Sequence, residues 1–316
     1  MVRHADIRDL EQALDMADAK RQAVVPYHPI FHRPATNARS MQAPWFRTMI
    51  ERSDIITLVH EGQDGINGFI AASPLPGSPL TFSVDDFVVD RPGLWPSVGR
   101  ALLAAARQEV RQRGAQSWEV NCQPRDESKR RMLVGEGLVV GRINMANHDP
   151  LAVTRGHLGS SPVPVRGAEL EDLDDASERI MEQSTRYHRL DPTYYRAPEW
   201  EAERRRLRGV MEKDGSMCLA TGEPGSVRAL LLAGAISAIP VYDPGGPVYF
   251  IQSLVVSQRS WEIDGRAVLI EAVQRMVERD AAMINTFSLP DDPERTATLS
   301  SGGLSVVTEF FCQDVG

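Results

Sequence analysis

Cysteine is scarce in this 316-residue sequence: only Cys122, Cys218 and Cys312 occur, and none lies in a CxxC spacing. So few thiols, so far apart, exclude a disulfide framework and a cysteine zinc site. The sequence also lacks any run of about 18 apolar residues, which a membrane-spanning helix needs. Its first residues contain no apolar stretch of the signal-peptide type. We therefore expect a cytoplasmic protein with no membrane partner.

Basic charge is also in the minority, since 35 lysines and arginines face 43 aspartates and glutamates, for a formal net charge of -8. An acidic surface repels phosphate backbones, so we expect no nucleic-acid partner. The sequence contains no GxxxxGK[ST], no HExxH and no GxGxxG after a strand, which excludes the P-loop, zinc-protease and dinucleotide fingerprints. We expect no metal site.

What the sequence does contain is an internal repeat. The segment 2–10 matches 165–173 at five of nine positions, with an offset of 163. The segment 95–115 matches 261–281 without gaps at nine of 21 positions, with an offset of 166. A third match, Leu133-x3-Gly137-Leu138 against Leu299-x3-Gly303-Leu304, keeps the second offset. Three matches in one order indicate a duplication.

The period of the repeat is far too long for a solenoid, so each copy should be a whole domain. A stretch rich in glycine, serine and proline separates the copies and has the composition of a linker. We therefore predict an N-terminal domain over 1–155, a linker over 156–163 and a C-terminal domain over 164–316.

Each copy presents the same order of elements: a short strand, a helix, strands, a central strand, a loop entering a helix, and a further strand. The central strands, 82–89 and 249–256, are rich in β-branched and aromatic residues, as buried strands are. This order predicts an α/β fold of the α+β type, in which each copy forms a central mixed sheet flanked by helices.

The motifs around the central strand resemble those of the GNAT superfamily of acyl-CoA N-acyltransferases. That family has a strand ending in valine about ten residues before the last glycine of a Gln/Arg-x-x-Gly-x-Gly/Ala loop. Here Val89 precedes Gly99 by ten residues, and Val255 precedes Gly265 by ten. Arg-Ala-x-Leu follows in both copies, and each late Gly-Leu pair is similar to the family's Gly-Phe.

The resemblance implies two tandem GNAT-like domains, with acetyl-CoA as the donor substrate. Amides at a helix N-terminus would hold its pyrophosphate, and the central strand would contact its pantetheine arm. The tryptophan of each loop could cover the cofactor or anchor the helix. The implied cofactor-binding residues are Phe87, Val88, Val89, Trp95, Ser97, Val98, Gly99, Arg100, Ala101, Leu254, Val255, Val256, Trp261, Gly265, Arg266 and Ala267.

Several positions depart from the family pattern. The first loop glycine is Ser97 in copy one and Ile263 in copy two. Asp264 would place a carboxylate near the pyrophosphate unless its side chain turns away. The tyrosine that the family often uses as general acid is replaced by Leu133 and Leu299.

Acyl transfer to an amine needs a base near the carbonyl. Asp86 lies three residues before Val89, where relatives carry a strand carboxylate, and its counterpart in the simple repeat alignment is Gln252. Asp85 should face the opposite side of the strand. The alternative for this pair is a cap at a strand edge or a salt bridge. His28 could relay a proton or simply end a helix.

We therefore expect an N-acyltransferase that moves an acetyl or short acyl group from acyl-CoA directly to a small-molecule amine. Asp86 in copy one would be its base, with Asp85 and His28 as further catalytic candidates. The alternative is a non-catalytic protein, built from two degenerate domains, that binds acyl-CoA or a small molecule. Monomer and homodimer are both compatible with the sequence.

Overall fold

The structure is a computed structural model that describes residues 1–75, 78–147, 161, 163–190, 195, 197–257 and 260–315. For residues 78–80 and 85 it describes the backbone alone. Most of the predicted linker, 156–163, lies outside the described residues, which include only Ser161 and Val163 of that segment.

The helices and strands follow the predicted order in both copies. In chain order they are β1 (Val2–His4), α1 (Leu10–Val24), α2 (Ala38–Glu51), β2 (Ile56–Glu61), β3 (Ile66–Leu75), β4 (Ser78–Val89), α3 (Arg100–Gln112), β5 (Ser117–Cys122), α4 (Glu127–Gly135), β6 (Val139–Asn147), β7 (Arg166–Gly167), α5 (Leu173–Leu190), α6 (Trp200–Met211), β8 (Met217–Thr221), β9 (Ala229–Ile236), β10 (Val248–Val256), α7 (Arg266–Val277), β11 (Met283–Ser288), α8 (Pro293–Ser301) and β12 (Leu304–Asp314).

The chain folds into two compact units that are not contiguous in sequence. Unit 1 comprises Met1–Arg142, Ile239–Asp243 and Val307–Gly316, and unit 2 comprises Ile143–Ala238 and Pro244–Val306. The sequence repeat has contiguous copies, whereas unit 1 includes two segments, and unit 2 one, from the sequence of the other copy.

Each unit contains a six-stranded mixed sheet. In unit 1 the strand order is β1-β2-β3-β4-β5-β12, and in unit 2 it is β7-β8-β9-β10-β11-β6. One neighbouring pair in each sheet is parallel, β4 with β5 and β10 with β11. The last strand of each sheet comes from the other copy: β12 pairs antiparallel with β5, and β6 pairs antiparallel with β11.

The first repeat match forms an ion pair that fixes the start of each unit. Arg3 donates two hydrogen bonds to Asp9, at 2.7 and 2.9 Å, and Arg166 does the same to Asp172, at 2.7 and 2.8 Å. Burial alone would raise the pKa of Asp9, but the bonds from Arg3 and from the backbone lower it. This bidentate geometry explains why arginine and aspartate recur six residues apart.

Unit 1 has helices on both faces of its sheet, and successive side chains of the central strand pack against helices on opposite faces. Phe87 and Val89 pack with α3, whereas Val88 packs with α1 and α2. Alternation of buried residues on a central strand is what two covered faces require. In the described ranges, no helix is both long enough and apolar enough to cross a membrane.

We predict that deletion of residues 307–316 unfolds unit 1. The deletion removes the strand partner of β5 and takes Phe311 and Val315, which are 0% and 1% exposed, out of the unit 1 core. In hydrogen exchange, amides of β5 should lose their protection while those of β9 in unit 2 keep theirs. Full protection of β5 in the truncated chain would contradict the strand assignment.

Candidate functional site

The central strand of each unit contains a β-bulge at the same place. In β4, Asp86 pairs with Ala71 and Val84 with Ala72, so Asp85 is the extra residue. In β10, Ser253 pairs with Leu232 and Ile251 with Ala233, so the extra residue is Gln252. A bulge leaves one residue outside the ladder and interrupts side-chain alternation.

The bulges correct the equivalence that the simple repeat alignment predicts. Gln252 corresponds to Asp85, and Ser253 is the counterpart of Asp86. The alignment is off by one in the strand because the stretch between strand and tryptophan is one residue shorter in copy two. Serine cannot act as a carboxylate base, so the contrast between the units remains.

Beyond the bulge, the two parallel strands of each unit separate. The β4–β5 ladder ends at the pair of Val84 and Val120, and Asn121 Nδ2 then donates to the carbonyl of Val84 at 3.3 Å. In unit 2, Thr286 Oγ1 likewise donates to the carbonyl of Ile251 at 2.8 Å. A side chain from the neighbouring strand thus replaces the ladder where the strands part.

A buried cation from the next helix supplies a second donor at this opening. Lys129 on α4 donates from Nζ to the carbonyl of Phe87 at 3.3 Å, and Arg295 on α8 donates to the carbonyl of Leu254 at 2.6 Å. Arg295 also reaches the carbonyl of Phe287 at 3.1 Å, and so links β10 to β11. The two cations are 2% and 3% exposed.

Sequence reasoning missed this pair of cations. Their signal was present, because Lys129 and Arg295 stand at the same offset of 166, four residues before Leu133 and Leu299. A basic residue that recurs at the same position in both copies of a helix is expected to do more than contact solvent. Both side chains cover a backbone carbonyl of the central strand.

Asp86 lies directly after the bulge, beside this opening. The residue keeps intermediate exposure overall, but protein surrounds its carboxyl group. The loss of hydration raises the pKa of Asp86, although the positive charges of Lys20, Arg21 and Lys129 act in the opposite direction. A carboxyl group in this state binds a proton more readily than an ordinary aspartate.

The other two catalytic candidates occupy different surroundings. The side chain of Asp85 lies outside the described part of the chain, and its backbone forms the bulge. His28 is 2% exposed, and its Nδ1 accepts the backbone N–H of Phe31 at 2.9 Å. That nitrogen of His28 therefore holds a turn together.

A second histidine, His32, was not singled out from the sequence. It is 1% exposed, its Nε2 lies 3.1 Å from Oε1 of Gln123, and its ring centroid lies 6.0 Å from that of Tyr242. Burial lowers the pKa of His32 to about 4, so the ring is neutral at pH 7. Burial, together with the charge of Asp86, raises the pKa of Tyr242 to about 12. No sequence signal connects these residues, because Tyr242 comes from the distant segment Ile239–Asp243.

The loop after the central strand is shaped by its tryptophan. Trp95 is 5% exposed, and its ring packs against Phe87 with centroids 4.8 Å apart. A Cβ atom added to Gly99 would lie 2.5 Å from the Trp95 ring, and one added to Gly265 would lie 3.2 Å from the Trp261 ring. Each tryptophan therefore anchors the helix start, and each glycine makes room for it.

In unit 2 the acidic residue of this loop turns inward. Asp264 is 3% exposed and accepts hydrogen bonds from Arg228, at 3.1 Å, and from the hydroxyl of Ser260. Burial would raise the pKa of Asp264, but these bonds outweigh it and the pKa is lowered. The amides of residues 263–265 all lie within hydrogen-bond distance of the Ser260 carbonyl. The carboxylate that the sequence placed near a pyrophosphate is thus held within the protein.

A cleft of about 630 Å³ opens beside the central strand of unit 2. Three of the predicted cofactor-binding residues, Val255, Val256 and Trp261, lie in its wall. Helix α5 also lines the cleft, with Gln183, Thr185, the two glutamates Glu178 and Glu182, and three arginines. These arginines are Arg179, Arg186 and Arg189.

One end of this cleft is tied by a buried aspartate. Asp292, which is 1% exposed, accepts the Tyr187 hydroxyl at 2.8 Å and pairs with Arg186. Burial is the main cause that raises the pKa of Tyr187 to about 12, and the charge of Asp292 adds to it. Gln183 Nε2 joins Arg295 on the carbonyl of Leu254, at 3.2 Å.

The remaining predicted cofactor-binding residues divide between core and surface. Arg100 is largely exposed and pairs with Glu136 at 2.8 Å, and Arg266 and Ser97 are exposed. The buried members of the set are Phe87, Val88, Val89, Val98, Leu254 and Ala267, whereas Ala101 is half-buried. The residues with buried side chains could contact a ligand only through their backbone groups.

Comparison with solved structures identifies relatives of this fold along the whole chain. A tandem GNAT protein from the clavulanic acid biosynthesis pathway is 16% identical, with 100% of this chain and 99% of that chain covered and a TM-score of 0.50. A GCN5-related N-acetyltransferase from Sphaerobacter thermophilus is 12% identical, with 100% and 95% covered and a TM-score of 0.61. No protein-family model and no curated protein sequence matches the chain.

A third structure extends the likeness. It contains a GCN5-related glucosamine N-acetyltransferase region in a fungal multi-domain GH3 β-N-acetylglucosaminidase, with 13% identity, 99% of this chain and 38% of that chain covered, and a TM-score of 0.54. At these identities the comparisons establish the fold. The chain has a tandem GNAT fold, and the predicted α/β class with mixed sheets is confirmed.

We predict that Gly99→Ala destabilises unit 1, whereas Gly93→Ala in the same loop does not. The new Cβ at position 99 would overlap the Trp95 ring, and at position 93 it would meet no atom within 4 Å. Overpacking of this kind costs about 1–3 kcal/mol. Denaturant unfolding followed by tryptophan fluorescence measures the difference, and equal stability of the two variants would exclude the packing role of Gly99.

Proposed function

We propose that the protein is an N-acyltransferase in which unit 1 moves an acetyl or short acyl group from acyl-CoA to the amine of a small molecule. The observation that carries the proposal is the position of Asp86. A desolvated carboxyl group stands directly after the bulge of the central strand, where β4 and β5 separate. A base with a raised pKa is suited to accept a proton near neutral pH.

The proposed reaction is a direct transfer. The Asp86 carboxylate accepts a proton from the acceptor ammonium, directly or through one water molecule, and the free amine attacks the thioester carbonyl. The C–N bond forms, the attacking nitrogen releases its second proton to water, the C–S bond breaks, and CoA leaves as the thiolate. Polarisation of the carbonyl by fixed donors would lower the barrier further.

Unit 2 is proposed to bind an acyl-CoA without catalysing transfer from it. Ser253 replaces the base, and the cleft beside Val255, Val256 and Trp261 is large enough for a pantetheine arm. Asp264 is withdrawn, and the cleft is lined by three arginines together with three glutamates. Arg179 already pairs with Glu182 and Arg186 with Asp292, so Arg189 is the lining arginine that we propose contacts a bound pyrophosphate. Its guanidinium would supply positive charge there, since the loop amides already contact the Ser260 carbonyl.

The alternative is a binding protein in which neither unit catalyses transfer. Two observations favour it: a cation covers a central-strand carbonyl in both units, and Leu133 and Leu299 replace the family's tyrosine. Incubation with acetyl-CoA and a panel of amines, followed by titration of free thiol, separates the two functions. Amine-dependent thiol release supports the enzyme, and its absence with every amine supports the binding protein.

We predict that Asp86→Asn lowers kcat by about 100-fold or more, since loss of a general base costs that much. Because the pKa of Asp86 is raised, the wild-type acid limb should lie at a higher pH than an ordinary aspartate gives. The control is Ser253→Ala in unit 2, which should leave kcat unchanged. Wild-type turnover in Asp86→Asn would remove this residue from the mechanism.

The fold of the Asp86→Asn variant should survive, and the sign of its stability change follows from linkage. A raised folded-state pKa means that wild-type stability falls as pH rises from about 3.9, the usual value for aspartate, through the folded-state value. Asparagine has no such dependence. At neutral pH the variant should therefore be at least as stable as the wild type in thermal unfolding.

We predict that Thr185→Trp abolishes acetyl-CoA binding in unit 2. The indole would fill the cleft from the α5 wall, whereas Thr185→Ser keeps the cleft open as a matched control. Calorimetry should give a stoichiometry lower by one site per chain for the tryptophan variant alone. Absence of binding to wild type would contradict the donor assignment, and kcat loss in Thr185→Trp would place catalysis in unit 2.

A further inference from the structure

Lys129 is a buried lysine beside the opening between β4 and β5 in unit 1. Its Nζ lies 5.0 Å from the centroid of the Phe87 ring, 5.3 Å from that of the Trp95 ring, and 3.3 Å from the Phe87 carbonyl. Aromatic faces and a carbonyl stabilise an ammonium group in a desolvated place. Among the side chains that the structure describes, no carboxylate forms an ion pair with Lys129.

The charged and titratable groups around Lys129 come from α1, β4 and β5 and from the residue just before its own helix. Burial lowers the pKa of Lys129 to about 8, and Lys20 of α1 lowers it as well. Cys122 of β5, Asp126 before α4 and Asp86 of β4 act in the opposite direction. Burial raises the pKa of the Cys122 thiol to about 12, so this cysteine stays protonated and neutral.

Transfer from a thioester produces a thiolate, and the residue that the family often uses to protonate it is missing. The corresponding residues, Leu133 and Leu299, are both 0% exposed and have no acidic proton to transfer. Lys129 lies on the same helix as Leu133, one turn earlier, and reaches the opening between β4 and β5. It is the donor on α4 whose position fits the task.

We propose that Lys129 of unit 1 is the proton donor to the departing CoA thiolate. The inference rests on the proposed acyl transfer. As the C–S bond breaks, the sulfur takes the bonding electron pair and then a proton from Nζ, which gives CoA thiol and a neutral lysine. The proton that Asp86 took from the acceptor amine returns to Lys129, directly or through water, and restores both groups. The second proton that the nitrogen loses as the amide forms passes to solvent water, so no other reactant is needed.

Unit 2 contains the same arrangement without a transferable proton. Arg295 holds its carbonyl as Lys129 does, but a guanidinium is not deprotonated in proteins. Arg295 thus has a structural role alone. The two units differ at both proton-handling positions, since Asp86 and Lys129 in unit 1 face Ser253 and Arg295 in unit 2.

The experiment uses the full chain with three variants: Lys129→Met, Lys129→Arg and, as matched control, Arg295→Lys. Lys129→Arg keeps a cation that can bond the Phe87 carbonyl, whereas Lys129→Met removes a buried charge and leaves that carbonyl without this donor. Thermal unfolding and acetyl-CoA affinity check that each variant is folded and binds donor. Turnover is measured from pH 6 to about 10 with the acceptor amine found for the wild type.

The decisive readout is the dependence on the leaving thiol. Two acetyl donors are compared, the S-acetyl thioester of N-acetylcysteamine and that of thiophenol, whose thiol is far more acidic and leaves without protonation. Lys129→Met should lower kcat/KM about 100-fold or more with the alkyl donor, but less than about tenfold with the aryl donor. Wild-type turnover should fall above about pH 8, where Lys129 loses its proton, and this alkaline limb should be missing from the pH profile of Lys129→Arg. Arg295→Lys should match the wild type.

Equal losses with both donors in Lys129→Met would overturn the proposal, since they indicate a structural role. Wild-type turnover with an unchanged alkaline limb in Lys129→Arg would overturn it as well. Failure of the wild type to release thiol with any amine is a separate result. That result contradicts the proposed acyl transfer, and the proton-donor role is then withdrawn with it.

Discussion

Two parallel strands that pair and then separate leave backbone carbonyls without a ladder partner, and the structure of both units depends on how these are satisfied. An unpaired carbonyl in a dry interior costs free energy comparable to a lost hydrogen bond. Asn121 covers Val84 and Lys129 covers Phe87 in unit 1. The bulge before the opening aims the following residues, and the tryptophan loop closes over them. The opening between the strands is therefore maintained by side chains that donate to backbone carbonyls, and these side chains differ between the two units.

The two units share the backbone arrangement of the central strand but differ in the side chains beside it. Both units keep the bulge, the cation on the carbonyl, the glycine beneath tryptophan and the arginine–aspartate pair at the start. The strand position after the bulge changed, from Asp86 to Ser253, and so did the cation, from Lys129 to Arg295. Either lysine or arginine can donate to the strand carbonyl at the cation position. That hydrogen bond therefore does not explain why the two units differ there.

Much of the fold could be predicted from the sequence, because it lies in local and repeated patterns. The repeat indicated two sheets of one kind, and the spacing from Val89 to Gly99 indicated the loop and helix. The packing of the Trp95 ring against Gly99 was not predictable from that spacing, because it depends on the direction of a side chain. The bulge and the exchange of β6 and β12 were not predictable, since a one-residue slip and a choice of partner strand leave no local trace. His32, Tyr242 and Lys129 meet the site only through long-range packing.

Asp86 and Lys129 illustrate what burial does to a pair of opposite groups. Desolvation raises the pKa of the carboxyl and lowers that of the ammonium, so it narrows the gap that separates an ordinary aspartate from an ordinary lysine. Moving a proton between them then costs less free energy than it would in water, because each unit of pKa is worth about 1.4 kcal/mol. Perturbed pKa values of this kind are common at functional sites. Both charges weaken the folded state when buried, and that cost is the physical reason to look for their role in chemistry.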